Sequence, residues 1–282
     1  MPEVRIERAS VDDVRAIAAR RHVDDLTMRL SLVSADGGTA WVARDDGDVI
    51  GFAACDSMEL ERYLGDVYVS PSFRGQGIGT RLVEAAFEDS GEATRGVAID
   101  LADPSGVALS LQFGLPHYDV VLGLSGAIPK EEELASMAAG DYRFEVATLD
   151  PLGHTFSLNA LDREARGAVR PEAHRIWSAA ATGQTFFNQG EMVGYAYVWP
   201  DGRIGPCAVA SGAYARQIFA FSLLTLQRMY DASWCTVLAP ASNLRVSRAA
   251  LRAGLRVGET FVIARDARSQ LERYIGFHKL AF

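Results

Sequence analysis

The chain has 282 residues, 49% hydrophobic and 23% charged, the balance of an ordinary soluble globular protein. Its net charge of −8 argues against nucleic-acid binding, which needs a basic face to displace phosphate counterions. No apolar run approaches the ~18 residues a membrane span needs, and the opening MPEVRIERAS lacks the pattern of a secretory signal, so neither membrane nor export is expected.

In chain order, EVRIER (3–8) alternates as a strand, and SVDDVRAIAARRH (10–22) opens on a capping serine and continues with helical spacing. TAWVARDDGDVIGFAACDSMEL (39–60) reads as a hairpin turning at Asp45 to Asp48. YLGDVYV (63–69) is a strand, in which alternation sets Leu64, Asp66 and Tyr68 on one face and Val67 and Val69 on the other. A helix GIGTRLVEAAFED (77–89), a strand RGVAIDLA (95–102), a helix PSGVALSLQF (104–113) and a strand YDVVLGLSG (118–126) follow. Antiparallel strands first, then strand–helix–strand–helix–strand, make an α/β fold with a mixed sheet.

The order then repeats. VRIERASVDD (Val4 to Asp13) resembles YRFEVATLDP (Tyr142 to Pro151) at an offset of 138, and VIGFAA (Val49 to Ala54) resembles MVGYAY (Met192 to Tyr197) at 143. LGDVYVSPS (Leu64 to Ser72) matches IGPCAVASG (Ile204 to Gly212), and LQFGL (Leu111 to Leu115) matches LRAGL (Leu251 to Leu255), both at 140. Four matches in one order predict two copies of one domain, 1–138 and 139–282, docked on each other within the chain. The join falls in GAIPKEEELASMAAGD (126–141), which reads as a short capped connector helix.

Cys55, Cys207 and Cys235 are odd in number and in no C-x-x-C pair, which speaks against a disulfide framework and for a reducing cytoplasm. The five histidines form no H-E-x-x-H or similar cluster, so no metal is expected. The distinctive stretch is RGQGIGTRL, with glycines at 75, 77 and 79 between a strand and a helix. Glycine accepts positive φ and lets a ligand approach closely, and the free N–H groups of a helix start attract phosphate. No Gly-Lys-Ser/Thr closes the loop, and its glycine spacing is not that of a dinucleotide fingerprint. Tight strand–helix packing is the competing explanation of such glycines.

With its flanking strand and helix, this segment resembles the acyl-CoA-binding motif of the GNAT superfamily of N-acetyltransferases, Gln/Arg-x-x-Gly-x-Gly/Ala. Arg74-Gly75-Gln76-Gly77-Ile78-Gly79 fits that pattern, and Val69-Ser70-Pro71 supplies the V-x-P expected before it. The resemblance runs through residues 3–126 and, more weakly, through the second copy. It implies two tandem GNAT-like domains, each a mixed, mostly antiparallel sheet flanked by helices. It also implies acetyl-CoA as co-substrate: pyrophosphate on the backbone of Gly75 to Thr80 behind Arg74, and the pantetheine arm and acetyl carbonyl along Val67, Tyr68 and Val69. In the second copy the loop becomes Tyr214-Ala215-Arg216-Gln217-Ile218-Phe219, without glycine, so that copy is expected to have lost CoA binding.

The family often has an Asn after the fifth strand; the position is Asp103 in the first copy and Asn243 in the second. The tyrosine that usually protonates the departing thiolate is replaced by Ser110 and by Ala250. Acetyl transfer still needs a polarised thioester, a neutral amine and a proton for sulfur. Asp66 and Glu61 are the candidate bases, and Tyr118, Tyr63 or Tyr68 the substitutes for the missing acid. Trp41, Phe52 and Phe73 are candidates for lining an acceptor pocket, each with core packing as the alternative. Arg20 to His22 stand as either a contact to the CoA 3′-phosphate or a solvated helix end, and His117 as a strand end. The expected function is acetyl-CoA-dependent N-acetylation of a small amine, with CoA on the first domain. The alternatives are a non-catalytic acyl-CoA-binding or sensing protein and a structural protein on an inherited fold.

Overall fold

The computed structural model describes residues 4–21, 39–58, 60–88, 90–268 and 271–277. His22 lies outside them. The first half runs β1 (Arg5–Arg8), α1 (Val11–Arg21), β2 (Ala40–Asp45), β3 (Asp48–Met58), β4 (Glu61–Val69), α2 (Ile78–Phe87), β5 (Thr94–Asp100), α3 (Pro104–Gln112) and β6 (His117–Ala127). A connector helix α4 (Glu131–Ala138) leads to β7 (Glu145–Thr148), α5 (Thr155–Arg166), α6 (Pro171–Ala180), β8 (Thr182–Asn188), β9 (Glu191–Val198) and β10 (Arg203–Val209). Then come α7 (Ala215–Tyr230), β11 (Trp234–Pro240), α8 (Leu244–Arg252), β12 (Arg256–Arg265) and the short β13 (Tyr274–Gly276).

Local chemistry sets most boundaries. Ser10 and Asp13 form a reciprocal cap on α1, Ser10 Oγ accepting from Asp13 N–H at 3.2 Å and Asp13 Oδ2 from Ser10 N–H at 2.9 Å. The β2–β3 turn is Asp46-Gly47, both with positive φ, as a tight hairpin requires. The repeat is visible in the caps. Asp103 caps α3 and Asn243 caps α8 with their side chains, and Gly114 and Gly254 follow each helix with φ of +71° and +86°. The connector is helical as expected, with Glu131, Glu132 and Glu133 in its first turn, where the helix dipole favours negative charge.

Among the described residues all strands belong to one sheet, ordered β1-β2-β3-β4-β5-β12-β6-β11-β10-β9-β8-β7, with β13 added on β10. β12 pairs with β5, β6 pairs with β11, and β6 and β12 pair antiparallel with each other. Each half therefore donates one strand, β6 or β12, to the sheet of the other. The halves also meet through a core cluster containing Tyr63, Val121, Trp177, Tyr195, Phe261 and Tyr274.

One buried carboxylate anchors that junction, and a second charged cluster lies beside it within the second half. The Glu61 carboxylate, 1% exposed, takes Arg166 of α5 on Oε2 and Arg265 of β12 on Oε1. Nearby, buried Asp162 accepts from Arg170 (2.9 and 3.1 Å), His174 Nε2 (3.1 Å) and the Tyr195 hydroxyl. Burial opposes ionisation of Asp162, but Arg170 and His174 outweigh it and hold its carboxyl well below the usual range. Burial likewise pushes the His174 imidazole down, against the pull of Asp162.

These ions fix two expectations. Removing one partner of a buried pair leaves an uncompensated charge, typically worth ~3–5 kcal/mol. Glu61→Ala should lower the thermal midpoint by many degrees while leaving ligand affinity of the folded protein unchanged, read by calorimetry. The second expectation concerns acid. Burial holds the His174 imidazole below its ordinary pKa in the fold, whereas the unfolded chain protonates it near pH ~6.5. Stability should therefore begin to fall as pH drops below ~6.5, and fall again below ~4 as Asp162 becomes protonated in the unfolded chain. Urea midpoints across pH test this, and His174→Gln should flatten the first part of the profile.

Candidate active site

β4 and β5 are parallel neighbours that pair only from Glu61↔Thr94 to Leu64↔Val97. Past Leu64 they part. On its other side β4 remains paired with β3 up to Val69↔Gly51, so its amides facing away from β3 lose their strand partner where the gap opens. Such an edge is a ready template for an extended amide chain.

Gly65 sits at the opening. Ala54 faces Asp66 and Cys55 faces Leu64, so Gly65 is an extra, bulged residue of β4. The bulge corrects the expected alternation. Leu64 packs in the α2-side core with Val67 and Val69, while Tyr68 packs against the α1-side core, so Leu64 and Tyr68 lie on opposite faces. One inserted residue reverses the parity of every side chain before it.

From the gap a groove of about 670 Å³ runs outward, within the ~300–1,000 Å³ typical of ligand sites. Its walls are Val67 to Val69, the loop Phe73 to Thr80 without Gln76, and one face of α3. Gly75 and Gly77 have φ of +77° and +76°, and a Cβ on either would meet nothing within 4 Å. A Cβ on Gly79 would make only an ordinary 3.7 Å contact with Val69. Tight packing therefore does not explain these glycines. Backbone conformation requires the first two, and the space above them is open to a ligand. Gly77 is also the N-cap of α2, so no side chain caps the first-turn N–H groups, which leaves an anion site. Arg74 turns back, its Nε donating to the Val69 carbonyl at 3.0 Å, which ties the loop to the end of β4.

The inner end of the groove passes between β4, β5 and α3. It is lined by Asp66, Val67, Val97, Ile99, Asp100, Leu109, Ser110 and Phe113 among others. The structure thus gathers Asp66, Val67 to Val69, Arg74, Gly75 and Gly77 to Thr80 around one groove. Asp66 pairs with Arg21, whose guanidinium lies 4.8 Å from the Tyr68 ring centre. Glu61 does not join them. It is buried at the junction of the halves with both oxygens held by arginines, so it has no access to an amine in the groove. Tyr63 is 1% exposed in the same junction, and burial pushes its phenol up. Tyr118 stands behind the groove, its hydroxyl 2.8 Å from Ser110 Oγ. Phe73 lines the groove, Phe52 is core and Trp41 lies under Arg8. Arg20 binds the Val49 carbonyl, and His117 opens β6.

In the second half β10 and β11 pair at Arg203↔Thr236 and Ile204↔Val237 and then part, 140 residues on from Leu64↔Val97. There the gap is filled. β13 pairs with β10 through Cys207↔Gly276 and Ala208↔Tyr274, and Phe277 N–H donates to Leu238 of β11 at 2.8 Å. Asn243 holds it from α8 through the Tyr274 carbonyl, at 2.8 Å. Phe219 is fully buried, and buried Gln217 binds the Ala138 and Tyr142 carbonyls of the connector. The missing glycines were legible in the sequence. The plug was not, because three residues, YIG, carry no signal for where they pair.

Residues 8–105 match the Acetyltransferase (GNAT) family. An uncharacterized N-acetyltransferase of Archaeoglobus fulgidus is 40% identical over 74 residues, 24% of this chain; the match spans half the length of that relative. A Pyrococcus horikoshii structure described as an acetyltransferase superposes with a TM-score of 0.74 at 15% identity, over 99% of this chain and 96% of that one. A tandem GNAT protein from the clavulanic acid biosynthesis pathway gives 0.60 at 15% identity, over 95% and 100%. At these identities the superpositions concern the fold.

With CoA on this loop, as the motif's resemblance implies, Gly77→Val should abolish that binding by calorimetry, because a branched residue at φ +76° is strained and its side chain enters the open space over the helix start. Circular dichroism should show the secondary structure retained.

Proposed function

We propose that the first half binds acetyl-CoA and transfers its acetyl group to a small amine. The observation that carries this reading is the opening of β4 from β5 beside an uncapped glycine helix start. The groove supplies main-chain donors to both ends of a long, amide-containing, phosphorylated ligand. Residues Gly75 to Thr80 would hold the pyrophosphate, and Val67 to Val69 the pantetheine arm, with a β4 N–H polarising the thioester carbonyl. Asp66, at the inner end, takes the amine proton directly or through water. The amine nitrogen attacks the carbonyl carbon, the C–N bond forms, and the C–S bond breaks with thiolate departure.

Free-thiol release from acetyl-CoA across an amine panel tests the activity. Asp66→Asn should lower kcat by about 10²-fold, the lower end of general-base assistance, while CoA affinity stays close to the parent's. Calorimetry should count one CoA per chain; two equal sites would defeat the assignment to the first half. Binding of CoA without acetylation of any amine would instead favour a CoA-sensing protein.

A further inference from the structure

We infer that Ser110 protonates the departing sulfur and that Tyr118 supplies the proton through it, a two-residue relay from β6 into the groove. The inference rests on the acetyl-CoA reading above.

A thioester that loses its acyl group leaves a thiolate, which departs more readily as it gains a proton. Among the residues lining the inner groove, Ser110 carries the one hydroxyl. The carboxylates there are engaged as acceptors: Asp66 by Arg21, Asp100 by Ala102 N–H, and Asp103 by Ser105 N–H. Ser110 is 4% exposed and lies on α3, the helix whose Ser105, Gly106, Leu109 and Gln112 line the outer groove. One helix thus runs from the phosphate end of the groove to this hydroxyl.

Ser110 by itself is a weak acid, and it is not by itself. Its Oγ donates to the Val107 carbonyl at 2.8 Å and lies 2.8 Å from the Tyr118 hydroxyl. With its own hydrogen on Val107, Ser110 accepts from Tyr118. Rotation of the serine hydroxyl from Val107 toward the groove would complete a path from phenol to sulfur. In the step, sulfur takes the Ser110 proton and Ser110 takes the Tyr118 proton. The phenolate left behind recovers its proton from solvent, since Tyr118 is only partly buried. The second half has no such pair: residue 250 is alanine, and its groove is plugged. Ser110 is then a catalytic residue, and Tyr118 positions and charges it.

The test compares CoA with desulfo-CoA, which lacks only the sulfur. A hydrogen bond to sulfur is typically worth a few-fold in affinity. Ser110→Ala should weaken CoA by about three- to tenfold and leave desulfo-CoA unchanged. Equal losses for both ligands would mean that Ser110 merely shapes the groove, and the inference would fall. In turnover, Ser110→Ala and Tyr118→Phe should each lower kcat by about 10²-fold, with the double variant no worse than either. Ser110→Thr, which keeps the hydroxyl, should recover most of the rate. Proton inventories in mixed light and heavy water should show two protons in flight for the parent and one for Tyr118→Phe. Additive losses, or a parent inventory with one proton, would overturn the relay while leaving the acetyl-CoA reading in place. If the parent bound neither CoA nor desulfo-CoA, the functional reading and the relay would fall together.

Discussion

A strand inside a sheet must find hydrogen bonds on both sides, and in this chain each half meets that need with a long strand of the other, β6 or β12. β12 lies beside β5 and β6 beside β11, so neither half closes its sheet alone. The repeat has become one object. Glu61 shows the consequence: a carboxylate at the start of β4 is neutralised by two arginines that arrive more than 100 residues later in the chain. A buried charge of this kind adds little net stability over an apolar contact, but it penalises any arrangement in which its partners are absent.

The same motif, two parallel strands that pair briefly and then part, has two fates. In the first half the gap stays open, with main-chain donors along β4 and an uncapped helix start at its mouth. In the second half the same gap is filled by the chain's own β13, with Asn243 fastening it. Protein backbone there occupies the kind of space that the first half leaves open. A strand edge with unpaired amides is unstable unless something completes it, and the two halves are completed differently.

The groove also distributes its chemistry unusually. Its donors are mainly backbone, which makes glycine the informative residue in the loop. The side chains proposed for its proton chemistry come from separate elements: Asp66 on β4 and Ser110 on α3 line the inner groove, and Tyr118 on β6 lies behind Ser110. The 2.8 Å contact between Ser110 and Tyr118 joins α3 to β6.

Much of the fold was legible in the residues. Alternation and capping marked most of the first-half elements, the serine cap at Ser10 and the Asp46-Gly47 turn among them, because these depend on neighbours a few positions away. The glycine loop was legible for the same reason: positive φ at Gly75 and Gly77 is a local demand that glycine meets. The bulge at Gly65 was not, since one unpaired residue in a strand is defined only by the register of its partner, and it reversed the expected face of Leu64. Glu61 read as a candidate base because nothing near it in sequence reveals the arginines that bury it. Sequence alone determined the recurring order of elements, the glycine turn at 75–79 and the absence of its glycines at 214–219. Tertiary structure decided which strand completes which sheet, that β13 seals the second gap, and that Tyr118 reaches Ser110, because these contacts join residues with no local constraint linking them.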